Sequence, residues 1–519
     1  MNAETAYLFR HALLRDAAYQ LQLPGDRARL HGLAFEIIEA TAGGRPPEPA
    51  PLDAVDAAPF RRHAADVFAL ELAEHARLAL AGVEAKGRTG RARGLRSAHL
   101  LYLRRAAEDA ERRFRPYVAL QLWQRFADLF SGAEKGESLR RAGVSAWQGG
   151  MPGIANPLFA QALIVGRKAG NIQLEGRVLG NLAILYRESG RVERAERTQK
   201  QALAIHRRVG NRCDGAMALG NLALLYQQLG RVVDAERTYE SALTELRGLG
   251  EERLQGIALG NLANLYRETG RIEQAERTCG QALAIHREVG DRRSEGIALG
   301  NMAGVYHQTG RLGLAERAFE RTLKIHREVG SRRFEGIALG NLANLYRETG
   351  QGEQSRRAFE KALAIYREVG DRRGEGILLG NLALLHQQIG RYRLAERTYE
   401  RALAIQRGVR NLRGEGVLLG NLAFLYQKTG RIKLAEVSFK RALSIHRQVN
   451  NPRAEGIHLC DFALFALDHG RVGQARQFWR RGAELLRRLG DLAELGRKQA
   501  SMKEACLEVG AAPFDQKGP

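Results

Sequence analysis

The chain has 519 residues, 44% of them hydrophobic, and carries 81 Lys and Arg against 58 Asp and Glu, a formal charge of +23. No apolar run reaches the roughly 18 residues of a membrane-crossing helix. The N-terminus has acid-containing polar residues where a secretory signal has a basic flank and an apolar run, so a cytoplasmic protein is expected. The cysteines, Cys213, Cys279, Cys460 and Cys506, lie far apart without a CxxC pair, which excludes a disulfide framework or a zinc site as the organising device. The positive balance keeps nucleic acid and acidic surfaces open as partners without choosing between them.

Residues 4 to 40 have helical spacing, with Leu8, Leu13, Ala17, Leu21, Leu30, Ala34 and Ile37 on one apolar face and Pro24-Gly25-Asp26 breaking two helices apart. The run Phe9-Arg10-His11-Ala12-Leu13-Leu14-Arg15-Asp16-Ala17-Ala18-Tyr19, followed by Arg29-Leu30-His31, resembles the segment after the nucleotide-binding module of bacterial STAND regulators. In that family an AAA-like ATPase precedes the segment. Here none is expected, since the segment opens the sequence and no GxxxxGK[ST] phosphate cradle occurs in the chain. The resemblance therefore implies a regulatory remnant or partner-docking segment over residues 1–42. His11, Arg15 and Asp16 read either as ordinary helix-surface ion pairs or as a cluster sensing a partner domain.

Residues 43–60, with Pro46-Pro47 and Pro49, read as a Gly/Pro-rich linker. A helical extension follows over 61–130, carrying Leu100, Leu101, Tyr102, Trp123 and Phe126. It is interrupted by a basic loop, 86–96, in which Lys86, Arg88, Arg91, Arg93 and Arg96 stand among glycines. Such a loop is either a solvated connection or a contact for a phosphate backbone.

From 171 to 490 the chain repeats every 40 residues: Asn181, Asn221, Asn261, Asn301, Asn341, Asn381 and Asn421 recur in step, and Asp461 takes the eighth place. A degenerate unit occupies 131–170. A repeat that cannot bury its own apolar face must stack on its neighbours, so the spacing predicts an all-α solenoid of antiparallel helix pairs. In the unit 291–330, helix A is expected over 294–308, a turn at Gly310 and helix B over 312–328. Ala303 and Ala315 permit close approach, while Leu299, Met302, Tyr306, Phe319 and Leu323 supply bulk. The unit 451–490, with Phe462, Phe465, Phe478 and Trp479, covers the end of the stack. A capping helix over 491–509 and a loose tail over 510–519 complete the chain.

The pattern Leu262-Ala263, Tyr266, Gly270, Ala275, Ala282, repeated at Leu342-Ala343, Tyr346, Gly350, Ala362, resembles the tetratricopeptide repeat in the 40-residue form of kinesin light chain and the LGN/Pins adaptors. Ala replaces the family's Gly after Leu, and Ser355 replaces its Ala, both small for small. The resemblance implies a right-handed superhelix whose concave groove is lined by helix A and holds an extended or helical peptide. Three rows map onto that groove. The first is Gly180, Gly220, Gly260, Gly300, Gly340, Gly380 and Gly420, either a ridge open to a ligand backbone or a surface for tight helix packing. The second is Ile184, Leu224, Asn264, Gly304, Asn344, Leu384 and Phe424, in which the two amides could clamp a peptide main chain. The third is Arg187, Gln227, Arg267, His307, Arg347, Gln387 and Gln427, suited to carboxylates on the ligand. The Asn181 to Asn421 ladder reads first as structural hydrogen bonds between adjacent helices and second as ligand contact.

Paired arginines at 292–293, 332–333 and 372–373 are expected to sit in solvated turns and to pair with Glu295, Glu335 and Glu375. The unit 291–330 carries seven Lys and Arg against five Asp and Glu, whereas 411–450 carries seven against two, which makes the C-terminal end of the groove the better match for an acidic ligand. No HExxH, GxSxG or local Cys/His arrangement occurs, and His206, His286, His326 and His446 read as surface or inter-unit residues. The expected protein is a non-catalytic, monomeric scaffold of bacterial signalling, without cofactor or metal, binding a protein or peptide segment. Self-association stays open. The alternatives are a nucleic-acid-associated transcriptional regulator and the detached sensor half of a STAND ATPase.

Overall fold

The computed structural model describes residues 22–52, 61–84 and 89–514, and all regular structure among them is helical. The chain divides into two compact units, 1–145 and 146–519. The readings at Leu8 to Leu21, at His11, Arg15 and Asp16, and at Lys86 and Arg88 lie outside the described residues.

In the first unit Pro24 occupies the first turn of the helix Pro24–Thr41, where its missing N–H removes no helical bond. The break that the sequence suggests at Pro24 to Asp26 is thus a helix start. The helices Ala69–Glu84, Thr89–Arg112 and Pro116–Ala127 follow. They enclose Leu72, Tyr102 and Trp123, all without accessible surface. Tyr102 donates to Glu39 at 2.8 Å, and the buried Arg105 pairs with Asp66 at 2.6 Å. The expected basic loop 86–96 is corrected: from Thr89 onward it is the first turns of a helix. Leu95, Ala98 and Tyr102 anchor one face of that helix in the core at helical spacing, and Arg91 pairs with Glu36 at 2.9 Å.

The helices Gly132–Gln148 and Pro152–Lys168 fall at the repeat register. The eight units that follow are, in order, Ile172–Glu188 with Val192–Arg208, Arg212–Gln228 with Val232–Leu249, Glu252–Glu268 with Ile272–Glu288, and Arg292–Gln308 with Leu312–Glu328. They continue as Arg332–Glu348 with Gly352–Val369, Arg372–Gln388 with Tyr392–Gly408, Leu412–Lys428 with Ile432–Gln448, and Pro452–Asp468 with Val472–Arg488. Leu492–Glu508 closes the array.

Each helix pair is closed by a left-handed residue. Gly310 has φ 72° and sends its N–H to the His307 carbonyl, while the Arg311 N–H reaches Tyr306. Arg410 and Asn450 take the same conformation with a side chain, at φ 53° and 46°, against a preference of about 1–2 kcal/mol. Between the helices Ala303 and Ala315 are fully buried. Ser355, at the equivalent of Ala315, is buried too and donates to the Ala343 carbonyl at 2.8 Å, so the exchange leaves no unsatisfied hydroxyl. One apolar cluster runs without interruption from Leu299 to Phe465.

Units are strapped to each other by charge. Arg332 and Arg372 pair with Glu335 and Glu375 at 2.5 Å, and Arg292 pairs with Glu295. The same three glutamates are buried, and each takes a second arginine eight residues back, from the preceding helix B: Arg287 at 3.0 Å, Arg327 at 2.8 Å and Arg367 at 2.7 Å. Burial opposes ionisation of Glu295, but the two arginines outweigh it and hold the carboxyl below its usual range. On the other helix face Arg271 stacks on Tyr266 at 4.4 Å and reaches Glu236 of the preceding unit at 2.9 Å, an arrangement repeated at Arg231 and Arg311. Much of the arginine content is therefore structural.

The recurring histidines are not on the surface: His206, His286, His326 and His446 are all 3% exposed or less. Each lies on the glycine thirty residues earlier in helix A. A Cβ on Gly256 would stand 2.5 Å from the His286 ring, and one on Gly296 2.6 Å from His326. Overpacking of about 1–3 kcal/mol outweighs the helix propensity that Ala gains over Gly, about 1 kcal/mol. Gly256→Ala is therefore expected to destabilise the chain, and to stabilise it when His286 is already Ala. A urea double-mutant cycle checks this, and an equal effect in both backgrounds would show that ring contact is not the reason for the glycine.

The array also meets itself. A Cβ on Gly150 would lie 3.1 Å from Val409, one on Gly190 2.9 Å from Val449, and one on Gly230 2.2 Å from Leu489. All three pairs share one sequence offset, between six and seven repeat units. The turns between helices A and B at the start of the array thus abut the inter-unit turns at its end, forming a seam.

Candidate groove on the helix A face

Successive A helices pack on one another, whereas the B helices of neighbouring units splay apart. The A helices therefore lie on the inside of the curve, and their free face is the concave one. The glycine row splits along its length. Gly180 and Gly220 face open space, while a Cβ on Gly340, Gly380 or Gly420 would meet Leu378 at 2.9 Å, Leu418 at 2.6 Å or His458 at 2.1 Å. Close packing on the next helix A thus accounts for the C-terminal glycines and leaves the N-terminal ones as bare backbone. Gly260 and Gly300 are intermediate, with Asn301 and Thr322 at 3.6 Å.

In the second row Ile184, Leu224, Asn264, Gly304, Asn344 and Leu384 are half-buried, and Phe424 is 38% exposed with Lys428 over its ring. No described residue bonds the side-chain amide of Asn264 or Asn344. The third row behaves differently. Gln227 donates to Glu268 at 2.8 Å, Arg267 to Gln308 at 3.4 Å and Gln427 to Asp468 at 2.7 Å, and His307 meets Glu348 at 2.7 Å. Each partner lies 41 residues on, so this row forms an inter-unit polar ladder. Trp147 joins it by donating to Glu188 at 2.6 Å, which extends the register into the degenerate unit. Gln387 accepts from Tyr399 at 3.5 Å, and Arg347 pairs with its neighbour Glu348 at 3.1 Å. Arg187 has no such bond, and its Nε is buried without a partner. Sequence spacing exposed the row but not its ladder, although the polar residues 41 on, Glu188, Glu268, Glu348 and Asp468 among them, carry the signal.

The asparagine ladder yields one inter-unit bond, from Asn301 to the Gly260 carbonyl at 3.5 Å. Asn341 is exposed, and Asn181, Asn221, Asn261, Asn381 and Asn421 are half-buried. Asp461 instead pairs with Lys498 of the closing helix. Among the described residues no group of three or more His, Cys, Asp or Glu could hold a metal, and no helix is long and apolar enough to cross a membrane.

This architecture defines a helical-pair solenoid with a long concave face. Comparison with known families matches the tetratricopeptide repeat over residues 174–247, 254–328 and 334–408 and again over 417–453. The chain is a tetratricopeptide-repeat protein. Among solved structures it is similar to a Rap protein complexed with Competence and Sporulation Factor, at 15% identity, covering 66% of this chain and 96% of that one with a TM-score of 0.48. It is also similar to a STAND protein with a tetratricopeptide repeat sensor from Pyrococcus horikoshii, at 20% identity over 76% of this chain and 57% of that one, TM-score 0.42. A third is the kinesin light chain nearly identical TPR-like repeats of Podosopora anserina, at 20% identity over 37% and 95%, TM-score 0.30. No curated protein matches the chain.

Proposed function

We propose that the chain is a non-catalytic scaffold of bacterial regulation that holds an extended or helical peptide segment along its A helices. The observation that carries this reading is the contrast between adjacent rows. Gln227, His307 and Gln427 are engaged between units, while Asn264 and Asn344 keep donor and acceptor free, and Ile184 and Leu224 with the bare backbone at Gly220 continue the same face in the units before Asn264. Amides so placed can bond both polar groups of a peptide main chain, and apolar neighbours can take its side chains. Acidic side chains on the segment would suit Arg267 and Arg347. The N-terminal segment then serves as a docking or regulatory element of the STAND type.

Affinity purification of the tagged chain from its own cells, with nuclease in one arm, tests this. A stoichiometric protein partner that survives nuclease is expected. Asn264→Ala combined with Asn344→Ala should weaken that partner at least about tenfold, the loss of one or two buried hydrogen bonds, with the melting temperature unchanged. Undiminished binding would move the contact off this row. The charge of +23 favours nucleic acid as a second reading. Recovery of nucleic acid alone, with affinity falling steeply as salt rises, would establish it.

A further inference from the structure

The seam between the two ends of the array gathers positive charge. In three units the arginine near the start of helix A bonds an aspartate one unit on: Arg253 with Asp291 at 2.7 Å, Arg333 with Asp371 at 2.9 Å and Arg453 with Asp491 at 2.7 Å; for Arg293 the residue at that place is Ser331. For Arg373 and Arg413 the residues at that place are Asn411 and Asn451, which bring no charge. Both arginines turn to the seam instead. Arg373 pairs with Glu188 at 2.6 Å. Arg413 donates to the carbonyls of Asn450 at 3.1 Å and Gln228 at 3.4 Å, the latter 185 residues away.

Arg187 completes the cluster from the last turn of its own helix A, and Arg187 and Arg373 are the charged groups that bear on Arg413. The carboxylate of Glu188 pairs with Arg373, bears on Arg187 and also accepts from Trp147, while Arg413 is left with carbonyls alone. The Nε atoms of Arg187 and Arg413 are both buried without a partner. Burial, then repulsion by its two neighbours, pushes the Arg413 guanidinium down to about 10. Like charges withdrawn from water repel strongly unless an anion joins them. Cavities of about 290 and 270 Å³ flank the cluster, one lined by Arg373, Arg410 and Glu188, the other by Arg413 and Gln228. Each is large enough for a phosphate group.

We propose that Arg187, Arg373 and Arg413 bind a small multivalent oxyanion of phosphate chemistry, which latches one end of the array to the other across the seam. Planar guanidinium forks from three helices suit the oxygens of a tetrahedral anion. The site is separate from the peptide groove and does not depend on it.

Isothermal titration calorimetry on the full chain, with orthophosphate, pyrophosphate and O-phosphoserine in separate arms, tests the assignment. One saturable site per chain is expected in at least one arm, and the arm that binds tells a free phosphate from a phosphomonoester. Arg413→Gln and Arg187→Gln should each weaken binding at least tenfold, the loss of a charge-assisted contact. Without anion, the variants should melt no lower than the parent, because each removes a repulsion. With saturating anion, the parent alone should gain about 3 °C. Absence of saturable binding in all three arms overturns the proposal. So does binding that both variants retain, or a variant that melts lower than the parent in anion-free buffer while its fold is intact by circular dichroism.

Discussion

Lowering the pH from about 7 to about 5 is expected to destabilise the chain steeply. His206, His286, His326, His386, His446 and His458 are all buried, and burial is the first cause that lowers the pKa of each. For His326 the value falls from 6.5 to about 4, with Arg293 adding to the effect. His446 and His458 share a hydrogen bond of 2.9 Å, one ring donating and the other accepting, which holds both neutral. An unfolded chain protonates these rings as pH drops through 6.5, while the folded chain does so at lower pH, near 4 at His326 and His458. Stability is therefore fully present above that pH and declines toward pH 4, by up to about 1.4 kcal/mol per pH unit for each ring. The Glu295 clamp acts in a lower window: its pKa is depressed, so its contribution is present above the usual carboxylate range and lost as pH falls below it. Urea titrations at pH 7.5, 6 and 5 check the slope, and His326→Gln should reduce it. A midpoint that does not move between pH 7.5 and 5 would mean that the rings are protonated in the folded chain.

Phe439→Ala is expected to cost about 3–5 kcal/mol, the range for removing a fully buried aromatic ring. Phe439 has no accessible surface and packs on Phe462 at 5.2 Å and Phe465 at 5.9 Å, both in the next unit. Phe462 in turn stacks on Phe478 at 4.6 Å. The ring thus joins the last unit to the rest of the array rather than filling one unit's interior. In a solenoid held by nearest-neighbour contacts, the loss should appear as fraying of residues 431–508 ahead of the middle units. Hydrogen exchange read by mass spectrometry locates it. Val437→Ala, two residues away but 63% exposed, should stay within about 0.5 kcal/mol of the parent. Uniform loss of protection over the whole array would show that the units unfold as one block.

The helix pairs were legible because spacing alone places them: the expected helix B over 312–328 coincides with Leu312–Glu328, and helix A begins at Arg292, two residues ahead of expectation. The alanines between helices were legible for the same reason. Of the two readings of the histidines, the surface one fails: a polar ring on a charged helix only resembles surface. The inter-unit one holds at His446, bonded to His458, and at His326, stacked on Phe334, both of the next unit. Their signal lies in pairing, since Gly176, Gly256, Gly296 and Gly416 precede His206, His286, His326 and His446 by one fixed interval, whereas Leu246 follows Ala216. The basic stretch after residue 86 was misread because its glycines suggest a loop, although Leu95 and Ala98 continue the apolar face. The seam was not legible, because it depends on a small rotation accumulated over more than six units, and no local pattern records that sum. Arg187 therefore passed for one member of a row, when its surroundings are set by residues far along the chain.

Seam contacts at fixed offsets make array length a discrete variable. Duplicating or deleting a whole 40-residue unit preserves every neighbour contact and only exchanges one equivalent seam partner for another, Val409 for Val449 or Leu489. An array of five units or fewer makes none of these contacts. Growth by tandem duplication would thus pass through a threshold at which an open coil first becomes a closed one, with no change to the sequence of any single unit.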